Sequence, residues 1–447
     1  YGAKSICTGA GTGRNATWQS NVLGHGAFGT PNDNAGLLAG NCCYTPRMQG
    51  MNAIFGNTFI ADCGQLNEAR FDHPEYRRPD LFMIWGNNPL RANADGFFGH
   101  WIIDCMKRGA KLIVVDPRRI WLANRAAVYL PVRPGTDTAL ALAILHVLIE
   151  EDLYDHDYVE NYTVGFEDWA QRLGEYTPAW AEKITGIPAD TIDRLAHEFA
   201  EAAPAASIEQ GWRAATGCSH KNSGETARAI CLFNTLLGCW GAEGGAIFTG
   251  GASAGKLEDP RFAAPPAPKG KILGQAEFPL SAGSMGVSTY AVQQAGEGKV
   301  KGLIFYQSNC VGGYSNPAQL AEWVRKAELS VAIDVQMTET CKACQYVLPD
   351  TSYLERLEVP EFVGGKVPVV ALRDRVLDKI HPETKPVDEI FSELGRACGV
   401  GEYFDFTVDE LADAQLRTVG SSLDDLRKKG GILTFPEKAY VPAQKTT

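Results

Sequence analysis

Short, nearly unbroken runs of apolar residues punctuate this chain, and the elements after two of them come in the same order. Leu81-Phe82-Met83-Ile84-Trp85 enters the loop Gly86-Asn87-Asn88-Pro89, an amphipathic stretch covers 96–108, and Leu112-Ile113-Val114-Val115 ends at Asp116. Later, Leu303-Ile304-Phe305-Tyr306 enters Gln307-Ser308-Asn309, 317–328 has helical spacing, and Leu329-Ser330-Val331-Ala332-Ile333 ends at Asp334. Leu130-Pro131 then begins fourteen positions after Asp116, and Leu348-Pro349 fourteen positions after Asp334. Apolar runs of this length, lacking strict alternation and separated by helical spacing, predict parallel strands buried on both faces. Each copy therefore reads as a β-α-β unit.

The remaining pattern fills in around these units. Helices are predicted at 137–153, where Asp137 is placed to cap the apolar run, and at 155–162, 166–176, 178–185, 188–203 and 224–237. Strands are predicted at Ser5-Ile6-Cys7, 205–211 and Tyr346-Val347-Leu348, and a final clear helix at 387–398. Between 241 and 298 the composition turns to Gly, Pro, Ala and Lys, which predicts a long surface excursion. The expected architecture is α/β, with two dinucleotide-binding-like α/β domains related by internal pseudo-symmetry. One domain is expected from 1–22 with 300–447, and the second, inserted, from 23–299.

Carboxyl ends of parallel strands open onto a crevice. There an Asp can accept hydrogen bonds from a ribose or purine while loop amides face phosphates. Two such units imply two nucleotide-shaped ligands. Neither unit opens with G-x-G-x-x-G, which weighs against a nicotinamide dehydrogenase.

Composition excludes several classes. At 447 residues, 45% hydrophobic and 21% charged, the chain is an ordinary globular one. A formal charge of −11 with no Lys/Arg-rich run argues against a nucleic-acid partner. No apolar run is long enough to span a bilayer, so any membrane association is expected through a partner subunit. The opening residues already read as a strand entering a glycine loop and the chain stops in a polar stretch, so a fragment of a longer protein is expected.

Among twelve cysteines, the one C-x-x-C, Cys341-Lys342-Ala343-Cys344, lacks a second pair for a tetrahedral zinc site. It is read as buried thiols, as are Cys7, Cys63, Cys105, Cys218, Cys231, Cys239, Cys310 and Cys398. The pair Cys42-Cys43 differs, because Gly29-Thr30-Pro31-Asn32 and Thr45-Pro46-Arg47 around it are poor helix and strand material. A loop of that kind has its backbone fixed by a ligand, and one soft thiolate suffices for a redox metal whose cofactor supplies the other sulfurs.

These residues resemble the bis-molybdopterin guanine dinucleotide enzymes of the dimethyl sulfoxide reductase type. The resemblance covers nearly the whole chain. It rests on Gly29-Thr30-Pro31-Asn32 with Cys43-x-x-Pro46, Gly86-Asn87-Asn88-Pro89, Val115-Asp116-Pro117-Arg118 and Arg133-Pro134-Gly135-Thr136-Asp137. Asp334-x-x-Met337-Thr338-Glu339-Thr340 with Val347-Leu348-Pro349-Asp350 after it completes the set. The segment 353–361 looks closest to acetylene hydratase, catechol dehydroxylase and thiosulfate or polysulfide reductase-like members.

The resemblance implies that Cys43 is the protein ligand to molybdenum or tungsten, with Cys42 as competitor, and that Tyr44 stands where formate dehydrogenases carry a His. Tyr44 is either a proton donor near the metal or a packing residue over the pterin, and its identity argues against formate oxidation. Arg47 either orients substrate or neutralises a pterin phosphate. Asp116, Arg118, Gly135, Thr136 and Asp137 would hold one dinucleotide, and Asn309, Asp334, Thr338, Glu339 and Asp350 the other. Gly86, Asn87, Asn88, Gly211, Trp212 and His220 complete the cofactor-binding set, with Trp212 and Arg213 lining a funnel. Glu355 and Arg356 are expected to be a structural ion pair.

The implied function is the central part of a catalytic subunit that removes oxygen, hydroxyl or sulfur from a small substrate with two electrons. A non-redox hydratase or hydroxyl transferase on the same cofactor, and a non-catalytic dinucleotide-binding module, are the alternatives. A 4Fe-4S cluster is expected in an N-terminal segment outside this sequence, a barrel domain beyond Thr447, and an iron-sulfur electron-transfer subunit as partner. The family's habit of export points to the periplasmic or extracytoplasmic face.

Overall fold

A computed structural model describes residues 1–11, 22–32, 45–55, 59–61, 77–92, 98–210, 216, 220–248, 253–263, 265, 268–270, 272–278, 288–363 and 368–435. Eight strands build its two main sheets: β1 (Ile6–Ala10), β2 (Leu81–Trp85), β3 (Lys111–Val115), β4 (Val128–Leu130), β5 (Ala206–Gln210), β6 (Gly302–Tyr306), β7 (Leu329–Asp334) and β8 (Tyr346–Pro349).

The chain divides into two compact units. One comprises 1–42, 252–362 and 370–434, and the other 43–251, 363–369 and 435–447. The boundaries at 42/43 and 251/252 replace the expected 22/23 and 299/300, so much of the glycine- and proline-rich stretch belongs with the first unit. That stretch is also more structured than expected. Ala246–Phe248 pairs antiparallel with Phe59–Ala61, and Ser288–Gly296 is a helix whose Ala291, Val292 and Ala295 are core residues.

The sheet of the first unit runs β1-β6-β7-β8, and that of the second runs β5-β2-β3-β4. Every pairing within them is parallel. In both, the apolar strand that opens the repeated pattern is flanked by the strand ending in Asp on one side and by a strand from elsewhere in the chain on the other. The corresponding registers are Leu81 opposite Lys111 and Gly302 opposite Leu329.

Unbroken apolar runs are explained by cover on both faces. In β2, Leu81, Met83 and Trp85 pack with the helices Asp137–Glu150, Ala189–Ala202 and Ser223–Leu236, whereas Phe82 and Ile84 pack with Trp101, Ile102 and Cys105 of the helix Phe98–Lys107. In β6, Leu303 and Phe305 meet Ala291, Val292, Leu320 and Val324, and Ile304 and Tyr306 meet Val387, Ile390 and Phe391. Alternate side chains thus anchor opposite layers, which pins the register of each strand.

Three expectations need correction. Thr136, not Asp137, is the N-cap of the helix Asp137–Glu150, and Asp137 turns inward to Trp85. The helix Val387–Ala397 is succeeded by two more, Val408–Arg417 and Leu423–Lys428. The first of these is announced by a capping box of Thr407 and Glu410. Cys398 is exposed, while Cys7, Cys105, Cys231, Cys239, Cys310 and Cys341 are buried and Cys344 is half-buried, all as free thiols. Cys63 and Cys218 lie outside the described residues. Among the described residues, no helix is long and apolar enough to cross a membrane.

Candidate functional site

At the carboxyl end of β2, Gly86 adopts φ +62°, a left-handed turn that glycine enters without a Cβ clash. Its amide donates to Val115 O at 2.8 Å, tying the loop to β3. Asn87 comes next, 7% exposed, and its Nδ2 has no hydrogen-bond partner among the described residues. A buried amide left without an acceptor is costly, on the order of 1–3 kcal/mol, unless something else meets it.

Beside it, Asp116 is buried just past β3. Its Oδ1 accepts the Arg118 backbone amide at 2.8 Å, while the Arg118 side chain is exposed. Burial pushes the Asp116 carboxyl up, and the Arg118 amide opposes this. Asp137, also buried, accepts the Trp85 indole N–H at 2.8 Å, and burial likewise pushes its carboxyl up against that bond. Gly135, at φ +82°, leaves room for the half-buried His220 ring; a Cβ there would stand 3.2 Å from Nδ1. Thr136 closes the turn by donating to Arg133 O at 2.6 Å. Asn87, Asp116, Gly135, Asp137 and His220 therefore gather at one strand end of one unit, with Asn88 next to Asn87 opening a helical turn.

Arg47 belongs to the helix Thr45–Phe55 and is 2% exposed. It meets Glu209 of β5 at 3.2 Å. Glu209 is absent from the sequence-predicted set, although an acid inside the apolar run 205–211 is a signal in itself. Cys42, Cys43, Tyr44, Gly211 and Trp212 lie outside the described residues, as does Arg213.

The other unit repeats the placement with different chemistry. Past β6, Gln307 takes φ +44°, and Asn309 caps the turn Cys310–Gly313. Asn309 Nδ2 donates to Glu339 Oε2 at 2.8 Å, and its Oδ1 accepts from Thr340 N and Oγ1 at 3.2 and 3.0 Å. The Asn309 amide holds the Glu339 carboxyl below its ordinary range. Thr338 caps the helix Glu339–Ala343 through the Cys341 amide. Asp334, last of β7, accepts its own loop amides from Val335 and Gln336, and burial pushes its carboxyl up.

Asp350 lies just past β8, its amide bonded to Asp334 O at 3.2 Å. Its side chain is fully buried. Oδ2 accepts from Gln307 Nε2 at 3.1 Å and Arg356 Nη1 at 2.7 Å, and Oδ1 has no partner among the described residues. Burial pushes this carboxyl up, against Arg356 and Gln307. The expected Glu355–Arg356 pair does not form: Arg356 joins Asp350 and Glu358, while Glu355 accepts the amides of Ser352 and Ile380. Asn309, Asp334, Thr338, Glu339 and Asp350 thus share one strand end, and sequence reasoning missed Gln307, Thr340 and Arg356 around them.

Such strand ends offer donors and acceptors of the kind a nucleotide needs: glycine turns that admit a close ligand, buried carboxylates, the unmet Asn87 Nδ2 and the unmet Asp350 Oδ1. The residues present therefore fit a nucleotide-bearing pterin. Comparison with known proteins gives the family. Residues 20–372 match the molybdopterin oxidoreductase family. The thiosulfate reductase molybdopterin-containing subunit of Salmonella typhimurium is 32% identical over 349 residues, covering 74% of this chain and 45% of that protein. Acetylene hydratase of Syntrophotalea acetylenica is 31% identical over 414 residues, covering 85% and 55%. The solved acetylene hydratase from Pelobacter acetylenicus superposes with a TM-score of 0.80 at 25% identity, over 99% of this chain and 61% of that one. The chain thus spans about half the length of the curated relatives it matches. Strand order, strand-end chemistry and these matches converge, and the chain belongs to the molybdopterin oxidoreductase family.

Proposed function

We propose that this chain is the central part of the catalytic subunit of a molybdopterin-dependent oxidoreductase, and that the carboxyl end of each main sheet holds one pterin guanine dinucleotide. The observation that carries this reading is that each strand end has a buried polar atom left unmet among the described residues, Asn87 Nδ2 in one and Asp350 Oδ1 in the other. When bound, a molybdenum or tungsten pterin supplies the two-electron couple and the site at which oxygen, hydroxyl or sulfur leaves a small substrate.

The chain's residues do the holding. Asn87 donates to the first nucleotide, Asp116 and Asp137 accept its N–H or ribose O–H groups, and the Gly86 and Gly135 turns let the backbone approach. Asp334 and Asp350 accept from the second, with Asn309, Thr338 and Glu339 fixing the loop around it. Cys43 would ligate the metal, Cys42 being the competitor, and Tyr44 would stand by to donate a proton. Arg47, its charge met by Glu209, orients the helix that comes after the cysteines rather than a substrate. A 4Fe-4S cluster in a further segment, an iron-sulfur partner subunit and an extracytoplasmic location belong to the same proposal; the Salmonella relative is itself named as a subunit.

Metal and nucleotide content of the complete protein test the reading. Molybdenum or tungsten near one per chain with two guanine nucleotides released by acid is the expected result, lost in Cys43→Ala and kept in Cys42→Ala. Loss in Cys42→Ala alone would name the other cysteine, and nucleotide without metal would leave a dinucleotide-binding module. Similarity to acetylene hydratase favours a second reading, hydration on the same cofactor. Turnover of acetylene without any electron donor would establish it.

A further inference from the structure

The acid at the second strand end is gripped by a side chain outside the set that the resemblance assigns to the dinucleotide. Arg356 Nη1 donates to Asp350 Oδ2 at 2.7 Å and to Thr351 O at 2.8 Å, and its Nε donates to Glu358 Oε1 at 3.0 Å. The side chains of Arg356, Asp350 and Glu358 are 3%, 0% and 4% exposed. Arg373 holds the other Glu358 oxygen, and Gln307, bent into its left-handed turn, holds Asp350 Oδ2 from the β6 side. Asp350 Oδ1, on the same carboxylate, is left without a partner among the described residues.

We propose that Arg356 is a positioning residue for the second dinucleotide: together with Gln307 it locks one Asp350 oxygen so that the other is presented, ionised, to an N–H group of the ligand. This rests on the reading of Asp350 as a nucleotide acid. The planar guanidinium suits the task, because one fork reaches Asp350, the chain at Thr351 and Glu358 at once, which an ammonium cannot do. It also settles charge. The groups facing Asp350 are Tyr306 at the end of β6, Arg356 and Glu358 on the segment after β8, and Asp388 at the start of the helix Val387–Ala397. Two guanidiniums and two carboxylates close a neutral chain, whereas Tyr306 and Asp388 offer no compensating cation. Without Arg356, the buried Asp350 would take up a proton, and its free oxygen would become a poorer acceptor.

The test uses the complete cofactor-loaded protein and monitors release of the acid-labile nucleotide after dilution, from pH 5 to pH 9, beside thermal unfolding of each variant. Arg356→Gln is expected to release nucleotide about tenfold faster or more, the scale of losing one charge-assisted acceptor. Its release should accelerate as pH falls. Asp350→Asn should release it fast at every pH, and the double variant no faster than Asp350→Asn alone. Arg356→Lys, which keeps the charge and loses the fork, should fall between and decides the matter if Arg356→Gln does not fold. Wild-type release from Arg356→Lys, with fast release from Asp350→Asn, would overturn the role of Arg356 and leave the nucleotide acid standing. Wild-type release from Asp350→Asn would overturn the nucleotide acid itself.

Discussion

The strand ends of the two units carry acids at corresponding places, Asp116 just past β3 and Asp334 as the last residue of β7, and the acid downstream of each Leu-Pro step is buried: Asp137 in one, Asp350 in the other. They are kept buried in different ways. Asp137 accepts a neutral indole N–H from Trp85, whereas Asp350 is joined to a guanidinium that continues through Glu358 to Arg373. A neutral donor brings no charge of its own to a buried carboxylate, and a guanidinium balances that charge at the expense of desolvating a second ion. The same topology therefore admits two electrostatic solutions, and each has its own mode of failure.

Removing the cation should produce the largest effect. Arg356→Ala leaves Asp350 and Glu358 buried without it and is expected to cost about 3–5 kcal/mol in urea unfolding. Arg118→Ala, at the exposed arginine beside Asp116, should change stability by less than about 0.5 kcal/mol. Equal losses would erase the contrast between the units.

Asp137→Ala strands the Trp85 indole N–H in the core and is expected to cost about 1–3 kcal/mol, with Asp137→Asn costing less because an acceptor remains. Urea unfolding monitored by tryptophan fluorescence reads both. An Asn variant as unstable as Ala would mean that the charge of Asp137, rather than its hydrogen bond, holds Trp85.

The third effect depends on pH. Burial pushes Asp388 from its ordinary 3.8 to about 6, so its ionised form is disfavoured in the folded chain. The stability tied to this group is full below pH 3.8 and is lost as pH rises through about 6. Asp388→Asn, always neutral, should therefore exceed wild type by about 1–2 kcal/mol at pH 8 and match it near pH 4 in thermal unfolding. A gain that is equal at both pH values would assign the effect to packing.

The smallest effect is local. Gly135→Ala must hold alanine at φ +82° with its Cβ 3.2 Å from His220, which should cost about 1 kcal/mol for the backbone and a little more for the contact. Adding His220→Ala should restore only the contact part, as measured by thermal unfolding.

Much of this is legible along the chain. Equal spacings from Asp116 to Leu130 and from Asp334 to Leu348 identify the corresponding strands, because a buried parallel strand must be apolar at every position and its loop must turn at a fixed place. The helices Val408–Arg417 and Leu423–Lys428 escape the sequence reading although Thr407 and Glu410 announce the first, since their sequence is acidic and only one face is apolar. Asp137 reads as a cap because an Asp before an apolar run usually is one. Only the approach of Trp85, 52 positions earlier, turns it inward. The partner of Arg356 is misassigned for a local reason: adjacency favours Glu355, but the turn after β8 directs the guanidinium to Glu358, two positions on, and to Asp350, six positions back.

By itself, then, the sequence determined seven of the eight main-sheet strands, Val128–Leu130 being the exception, and the placing of Asp116 and Asp334 at strand ends, because those depend on local hydrophobic spacing and turn chemistry. Only the tertiary structure decided how each acid is paired and which buried polar atoms have no partner among the described residues. Charge pairing and polar satisfaction depend on distances through space, which a one-dimensional pattern does not contain.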